Sequence, residues 1–368
     1  MGIDAQRLTA TLVRLAAVDS PSLGEGHLAR LLATELGHMG WSVNNDGTGP
    51  DTGNLIARCP GDPELEPLMF TSHMDVVAPC RGVRPRVDDG WIRSSGDTVL
   101  GADAKASVAA LLEMARQLRT LRRVPPLELV FTWGEELCHL GAKSLDLGQL
   151  RARRAFVLDG LEPVGTIVTA APEYYSFVVR VVGRAAHAGV EPERGVSAIA
   201  VAARGAAGLA WGRIDPDTTT NLGTIAGGSN RNAVPAEARL EGEVRSHETG
   251  VAAERVGQIR AAFESAARDA GAEVEFQVRR EYAGYALPQD SRVVQLAERA
   301  FVSIGGQPRR LRSGGGSDAN ELNARSLPAC VLGIGAESCH SVSERVAISE
   351  LVRLTEWTVA IIECAAQR

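Results

Sequence analysis

The sequence lacks an apolar run long enough to cross a bilayer, which takes about 20 residues. Its longest small-apolar stretch, around Ala198 to Ala210, is broken by Arg204. No membrane partner is expected. A dense basic run and any interleaving of basic with aromatic residues are also missing. Lys and Arg number 39 against 45 Asp and Glu, for a net charge of −6. That balance argues against nucleic acid as a partner. No Cys-x-x-Cys pair occurs among the six cysteines, Cys59, Cys80, Cys138, Cys330, Cys339 and Cys364. Scattered cysteines in a large chain read as reduced thiols, and the expected location is the cytoplasm. The opening MGIDAQRLTATLVRLAAV has Asp4 early and Arg14 within its apolar stretch, which fits an amphipathic helix better than a secretory signal. No internal repeat or low-complexity segment is evident.

What is present is an ordinary globular composition, 45% hydrophobic and 23% charged over 368 residues. That length exceeds the usual size of one core, so two domains are expected. Strand and helix signals alternate up to about Ala170, with GEGHLARLLATELGHMG and ASVAALLEMARQLRTL as amphipathic helices. From Glu173 the texture changes. YYSFVVRVVG reads as a strand, VSAIAVAARGAAGLA as a helix, and NLGTIAGG and ARLEGEVRS as strands. VAAERVGQIRAAFESAARDAG then reads as a helix and AEVEFQVRR as a strand. This order is the split βαβ pattern of a ferredoxin-like α+β sandwich. Helical alternation resumes with RVVQLAERAFVSIG. The expectation is an α/β catalytic domain over 1–171 and 284–368, a central mixed sheet flanked by helices, interrupted by an inserted lid or dimerisation domain over 172–283.

Five apolar runs stop at a histidine or an acid: PLMFTSHMD at His73 and Asp75, TVLGAD at Asp103, LELVFTWGEE at Glu135 and Glu136, AFVLD at Asp159, and ACVLGIGAESCH at His340. Open α/β sheets place their sites beyond the carboxyl ends of strands, so distant residues can meet there. Two histidines with several carboxylates suit zinc or its relatives. His73 and Asp75 share one face of an extended backbone, so the carboxylate can fix the imidazole tautomer. Asp103 is placed to cap a helix, and its two oxygens also allow it to bridge two cations. Adjacent Glu135 and Glu136 after a buried strand are costly unless compensated, by solvent at a turn or by metal. With metal, one can ligate while the other takes a proton from water. Asp159 suits a terminal ligand. Lys105 reads as local charge balance, and Cys138, His139 and Cys339 as loop residues outside the ligand set. In SGGGSDAN, successive glycines such as Gly315 and Gly316 permit positive φ and can seat an anion; the alternative is a tight turn.

The set His73-Met74-Asp75, Gly101-Ala102-Asp103-Ala104-Lys105, Gly134-Glu135-Glu136, Asp159 and His340 resembles the M20 family of co-catalytic zinc metallopeptidases, nearest its peptidase T-like, tripeptide aminopeptidase branch. AAHAGVEPERGVSAIAVAA around His187, GRIDPDTTTNLGTIAGG and SGGGSDAN support the resemblance, which spans nearly the whole chain. It implies two divalent metal ions per chain, zinc first and cobalt or manganese as substitutes. His73 and Asp159 would hold one, Glu136 and His340 the other, and Asp103 both. Glu135 would be the general base and then the proton donor, and Asp75 would orient His73. His187 would stabilise the oxyanion, in many relatives across a dimer interface, so a homodimer through the lid is implied. Asn232 and Arg245 match positions that contact substrate in relatives, and the glycine loop would seat a substrate carboxylate.

The chain departs from the family pattern at Ala104 and Ser107, where an acid and a glycine are more usual, and has Ser341 after His340 in place of threonine. The implied reaction is hydrolysis of the amide bond of short peptides, with a water activated by the metals and by Glu135. An N-acyl amino acid amidohydrolase or a carboxypeptidase would use the same centre, and a catalytically silent metal-binding homologue is the non-enzyme alternative.

Overall fold

Strands buried on both faces read as unbroken apolar runs and belong inside parallel sheets. In the computed structural model, Leu68–His73 and Leu127–Thr132 are buried at every position. The structure describes residues 2–367. Met1 and Arg368, the outermost positions of the expected catalytic domain, lie outside the described residues. The Leu68–His73 strand pairs in parallel with Leu127–Thr132 on one side and Ala155–Gly160 on the other. Ala155–Gly160 pairs in parallel with Ala329–Gly333. Antiparallel strands flank this core, Leu55–Cys59 and Ser42–Asn45 at one end and Thr166–Ala171 at the other, in a mixed sheet of nine strands among the described residues.

Parallel pairing requires crossovers. Between the His73 strand and Leu127–Thr132 the chain passes through the helix Ala102–Gln117, which packs on the strands Leu68–His73 and Ala155–Gly160 and against the helices Ala5–Ala16 and Ile348–Ala366. Its residues 102–115 are all buried, as expected of a helix covered on every side. The charge this traps is paired: Glu113, fully buried, accepts from the Arg7 guanidinium at 2.9 Å. Trp357 of the last helix is the largest fully buried side chain and donates its indole N–H to the Ala297 carbonyl at 2.9 Å. Among the described residues no helix is long and apolar enough to cross a membrane.

A second compact unit comprises Ala171–Tyr285 and takes in Gly314–Gly316. Its strands Thr218–Gly227, Glu237–Ser246, Glu173–Val182 and Glu273–Tyr282 lie side by side in that order, all antiparallel. Numbered along the chain the order is 2-3-1-4, the ferredoxin-like arrangement, with the helices Ala198–Ala207 and Val251–Ala270 packed on one another and on the sheet. Alternate residues Phe177, Val179 and Val181 and the opposed Leu240 and Val244 form a core of their own with Val201, Ala202, Ile259 and Phe263. Gly205 is needed there for space, because a Cβ would lie 2.6 Å from the Phe263 ring.

Of the five runs that stop at a histidine or an acid, four carry a strand; Val99 and Leu100 are instead a buried loop entering the helix Ala102–Gln117. Because each unit has its own core, Phe263→Ala should destabilise the smaller unit by about 3–5 kcal/mol. Hydrogen exchange should then speed up at amides of Glu173–Val182 and Glu237–Ser246 and stay unchanged at Leu68–His73.

Candidate metal centre

The parallel strands carry the site residues to one edge of the sheet. His73 ends its strand level with Thr132, so Glu135 begins a short 3-10 turn three residues further on. Thr71 is level with Val157, which puts Asp159 level with His73. Asp103 enters from the helix Ala102–Gln117. Its backbone is extended (φ −81, ψ 104) and the cap position is Gly101, with no side-chain cap. The capping role open to Asp103 is therefore not the one it takes. The buried N–H groups of Gly101 and Asp103 are instead satisfied by the buried Glu344 carboxylate, at 2.6 and 3.0 Å, and the Asp103 side chain turns to the histidines.

The five residues expected to hold metal come together. His73 Nε2 is 3.0 Å from Asp103 Oδ1 and 3.3 Å from Asp159 Oδ1. His340 Nε2 is 3.3 Å from Asp103 Oδ2 and 3.2 Å from Glu136 Oε1. One oxygen of Asp103 thus faces each histidine. Donor atoms of His73, Asp103 and Glu136 lie within 4.8 Å of one another, as do those of His73, Glu135 and Asp159. His340 reaches in from its loop with its side chain half exposed, while His73, Asp103 and Glu135 are buried.

Asp75 does more than orient its neighbour. His73 Nδ1 is 2.9 Å from the Asp75 backbone carbonyl and 3.4 Å from the carboxylate. The carboxylate itself accepts the backbone N–H groups of Glu135 (2.9 Å) and Glu136 (3.2 Å) and the Ser22 hydroxyl (2.7 Å). It fixes the turn that presents both glutamates. Buried Glu25 holds the residue before, accepting from Gly134 N–H at 2.9 Å. Lys105 is buried and donates to the Val18 carbonyl at 2.6 Å, away from the cluster.

Burial drives the protons in this cluster. It pushes Asp159 up to about 7 despite the nearby His73, and Glu135 well above the usual range, with Asp159 adding to the effect. Asp103, buried but flanked by both imidazoles, is held well below the ordinary carboxylate range. Burial opposes a charge on His73, yet three carboxylates raise it well above its ordinary value. Asp103 and Glu136 lift His340 to about 10. Excess negative charge thus recruits protons that divalent cations could replace, and imidazole nitrogen with carboxylate oxygen is the donor set zinc, cobalt and manganese accept. The residues fit such ions.

Three further groups escaped the sequence reading. Glu344 has no local signal, because its partners lie more than two hundred residues earlier. Asp318, buried beyond the glycine loop, accepts from the Thr132 hydroxyl at 2.6 Å. His139, read as a loop residue, is buried, with Nε2 3.3 Å from Glu135 Oε1. His187 belongs to the second unit, exposed, its Nδ1 accepting from Gly189 N–H at 3.2 Å. The exposed Asn232 lends its carbonyl to Ala188 N–H at 3.0 Å. Arg245 pairs with Glu243 at 3.0 Å, donates to the Tyr282 hydroxyl at 3.2 Å and lies over the Tyr174 ring. None of Gly314 to Gly316 adopts the left-handed backbone the glycines permit. At Gly316 the requirement is space, since a Cβ would sit 2.4 Å from the Tyr282 ring.

Comparison with known proteins identifies the family. Residues 69–363 match the model of peptidase family M20/M25/M40. A solved aminopeptidase PepT from Bacillus cereus is 36% identical, covering 99% of this chain and 100% of that one at a TM-score of 0.91. A tripeptidase from Staphylococcus aureus is 33% identical, covering 100% of both chains at a TM-score of 0.96. The uncharacterized protein YqjE of Bacillus subtilis is 36% identical over 99% of this chain and 100% of its own length. The chain belongs to the M20/M25/M40 peptidase family, on its peptidase T-like branch, and is a metallopeptidase.

Proposed function

We propose that this metallopeptidase hydrolyses the amide bonds of short peptides, as an aminopeptidase of di- or tripeptides, with two divalent ions, most readily zinc. The observation that supports the reading is the placement of the Glu135–Glu136 pair: Glu136 lies with His340, Asp103 and His73, while the adjacent Glu135 lies with His73 and Asp159 and against His139. One glutamate is thereby available as ligand and the other as base. His73 and Asp159 would hold one ion, His340 and Glu136 the second, and Asp103 both. Such ions polarise a carbonyl and lower the pKa of water.

The protein groups then move the proton. Glu135, whose affinity for a proton is raised by burial, takes one from the attacking water and delivers it to the leaving amine. Asp75 keeps the turn in register through two backbone hydrogen bonds. His187 is assigned a hydrogen bond to the developing oxyanion, and Arg245, Asn232 and the Gly315–Gly316 loop contacts with the peptide. Pairing of two chains through the smaller unit belongs to the same reading, supported by exposed Ile199 and Ile225. So does a cytoplasmic location.

Glu135→Gln should reduce kcat by at least about a thousandfold with metal content unchanged, whereas His340→Ala should lower metal content. Full activity in the first, or undiminished metal in the second, contradicts these assignments. Among peptides, free tripeptides should be cleaved and N-blocked ones spared; the opposite preference favours the amidohydrolase or carboxypeptidase reading. Metal uptake should release protons and weaken as pH falls from about 10, and more steeply below about 7, because first His340 and then Asp159 of the metal-free fold hold protons that the cation must displace. Calorimetry in buffers of differing ionisation enthalpy measures this, and a pH-independent affinity from 6 to 8 would count against it.

A further inference from the structure

His139 lies beside the proposed base but outside the ligand set. Its Nε2 is 3.3 Å from Glu135 Oε1, and its Nδ1 is 3.8 Å from Glu321 Oε1. Glu321 in turn lies 3.9 Å from Lys143 Nζ. The imidazole is 3% exposed and Glu135 8%, so water does not compete for their contact. A carboxylate with one oxygen fixed by an N–H donor presents the other in a constant direction, which is what proton transfer in a defined geometry needs.

The backbone supplies an independent observation. Cys138 and His139 are consecutive non-glycine residues in the left-handed region, at φ 66 and 62. Such conformations are disfavoured for ordinary side chains and concentrate at functional sites. Here they fold the chain back so that His139 N–H donates to the Glu135 carbonyl at 2.7 Å. The Lys143 ammonium braces the bend by donating to the Cys138 carbonyl at 2.7 Å. The result is an imidazole lodged between Glu135 of one turn and Glu321 of the helix Asp318–Ala324.

We propose that His139 is a positioning residue that holds the Glu135 carboxylate in its proton-accepting orientation, its ring held between that carboxylate and the Glu321 side of the pocket. This rests on Glu135 being the base, so the two ideas are tested together but separably. His139→Asn tolerates a left-handed backbone yet is too short to reach Glu135, and His139→Gln restores a donor near the original Nε2. H139N should lower kcat by about tenfold or more, with KM and metal content unchanged, and H139Q should recover most of the loss. A kcat for H139N within about twofold of the parent, an H139Q as impaired as H139N, a loss of metal, or a failure of H139N to fold would overturn the proposal. If Glu135→Gln is inactive while H139N is fully active, only the positioning role falls; if Glu135→Gln is active, the assignment of the base falls first.

Discussion

The mutual repulsion of carboxylates gathered at one edge of a buried parallel sheet is the constraint on which this structure turns. Asp103, Glu135, Glu136 and Asp159 converge on two imidazoles within contact distance. Burial raises the proton affinity of Asp159 and Glu135, and the like charges of the neighbouring carboxylates raise it further. Left to solvent such a cluster would splay apart. It is held because each residue is anchored through backbone that is itself hydrogen-bonded: His73 and Asp159 by their strands, Asp103 by Glu344, and the two glutamates by Asp75 and Glu25.

Two carboxylates therefore act as braces. Asp75 and Glu344 each accept two backbone N–H groups next to a site residue; at Asp75, which hydrogen bonds hold charged despite burial, the acceptor's charge strengthens these bonds. Positioning by such second-layer contacts is what lets side chains from five stretches of chain meet in one geometry. The same logic extends to His139, which two left-handed residues turn inward onto Glu135.

Much of the fold was legible in the sequence, because its period was clear. Buried strands such as PLMFTSH and LELVFT appear as unbroken apolar runs, and the smaller unit's strands alternate, so the strand and helix order of both units could be read directly. That His73, Asp75, Asp103, Glu135, Glu136, Asp159 and His340 meet was legible because each sits at the end of an apolar run; their division into ligands and base followed from the resemblance alone. What was not legible depends on contacts between distant residues or on backbone angles. Glu344 meets Asp103 across 241 positions, and His139 points inward only through two left-handed residues that no periodicity signals. The apolar run before Asp103 suggested a strand edge and is a loop, since burial alone does not impose pairing. In the glycine loop the residue type was read as conformational freedom, whereas Gly316 is small to make room for Tyr282.

Anomalous diffraction from crystals of the zinc-loaded protein, recorded on both sides of the zinc edge, addresses the centre most directly. Two peaks about 3.5–4 Å apart are expected, one beside His73 and Asp159 and one beside His340 and Glu136, with Asp103 between them and Glu135 bound to neither. A single peak, peaks elsewhere, or Glu135 as a ligand in place of Glu136 would contradict the arrangement.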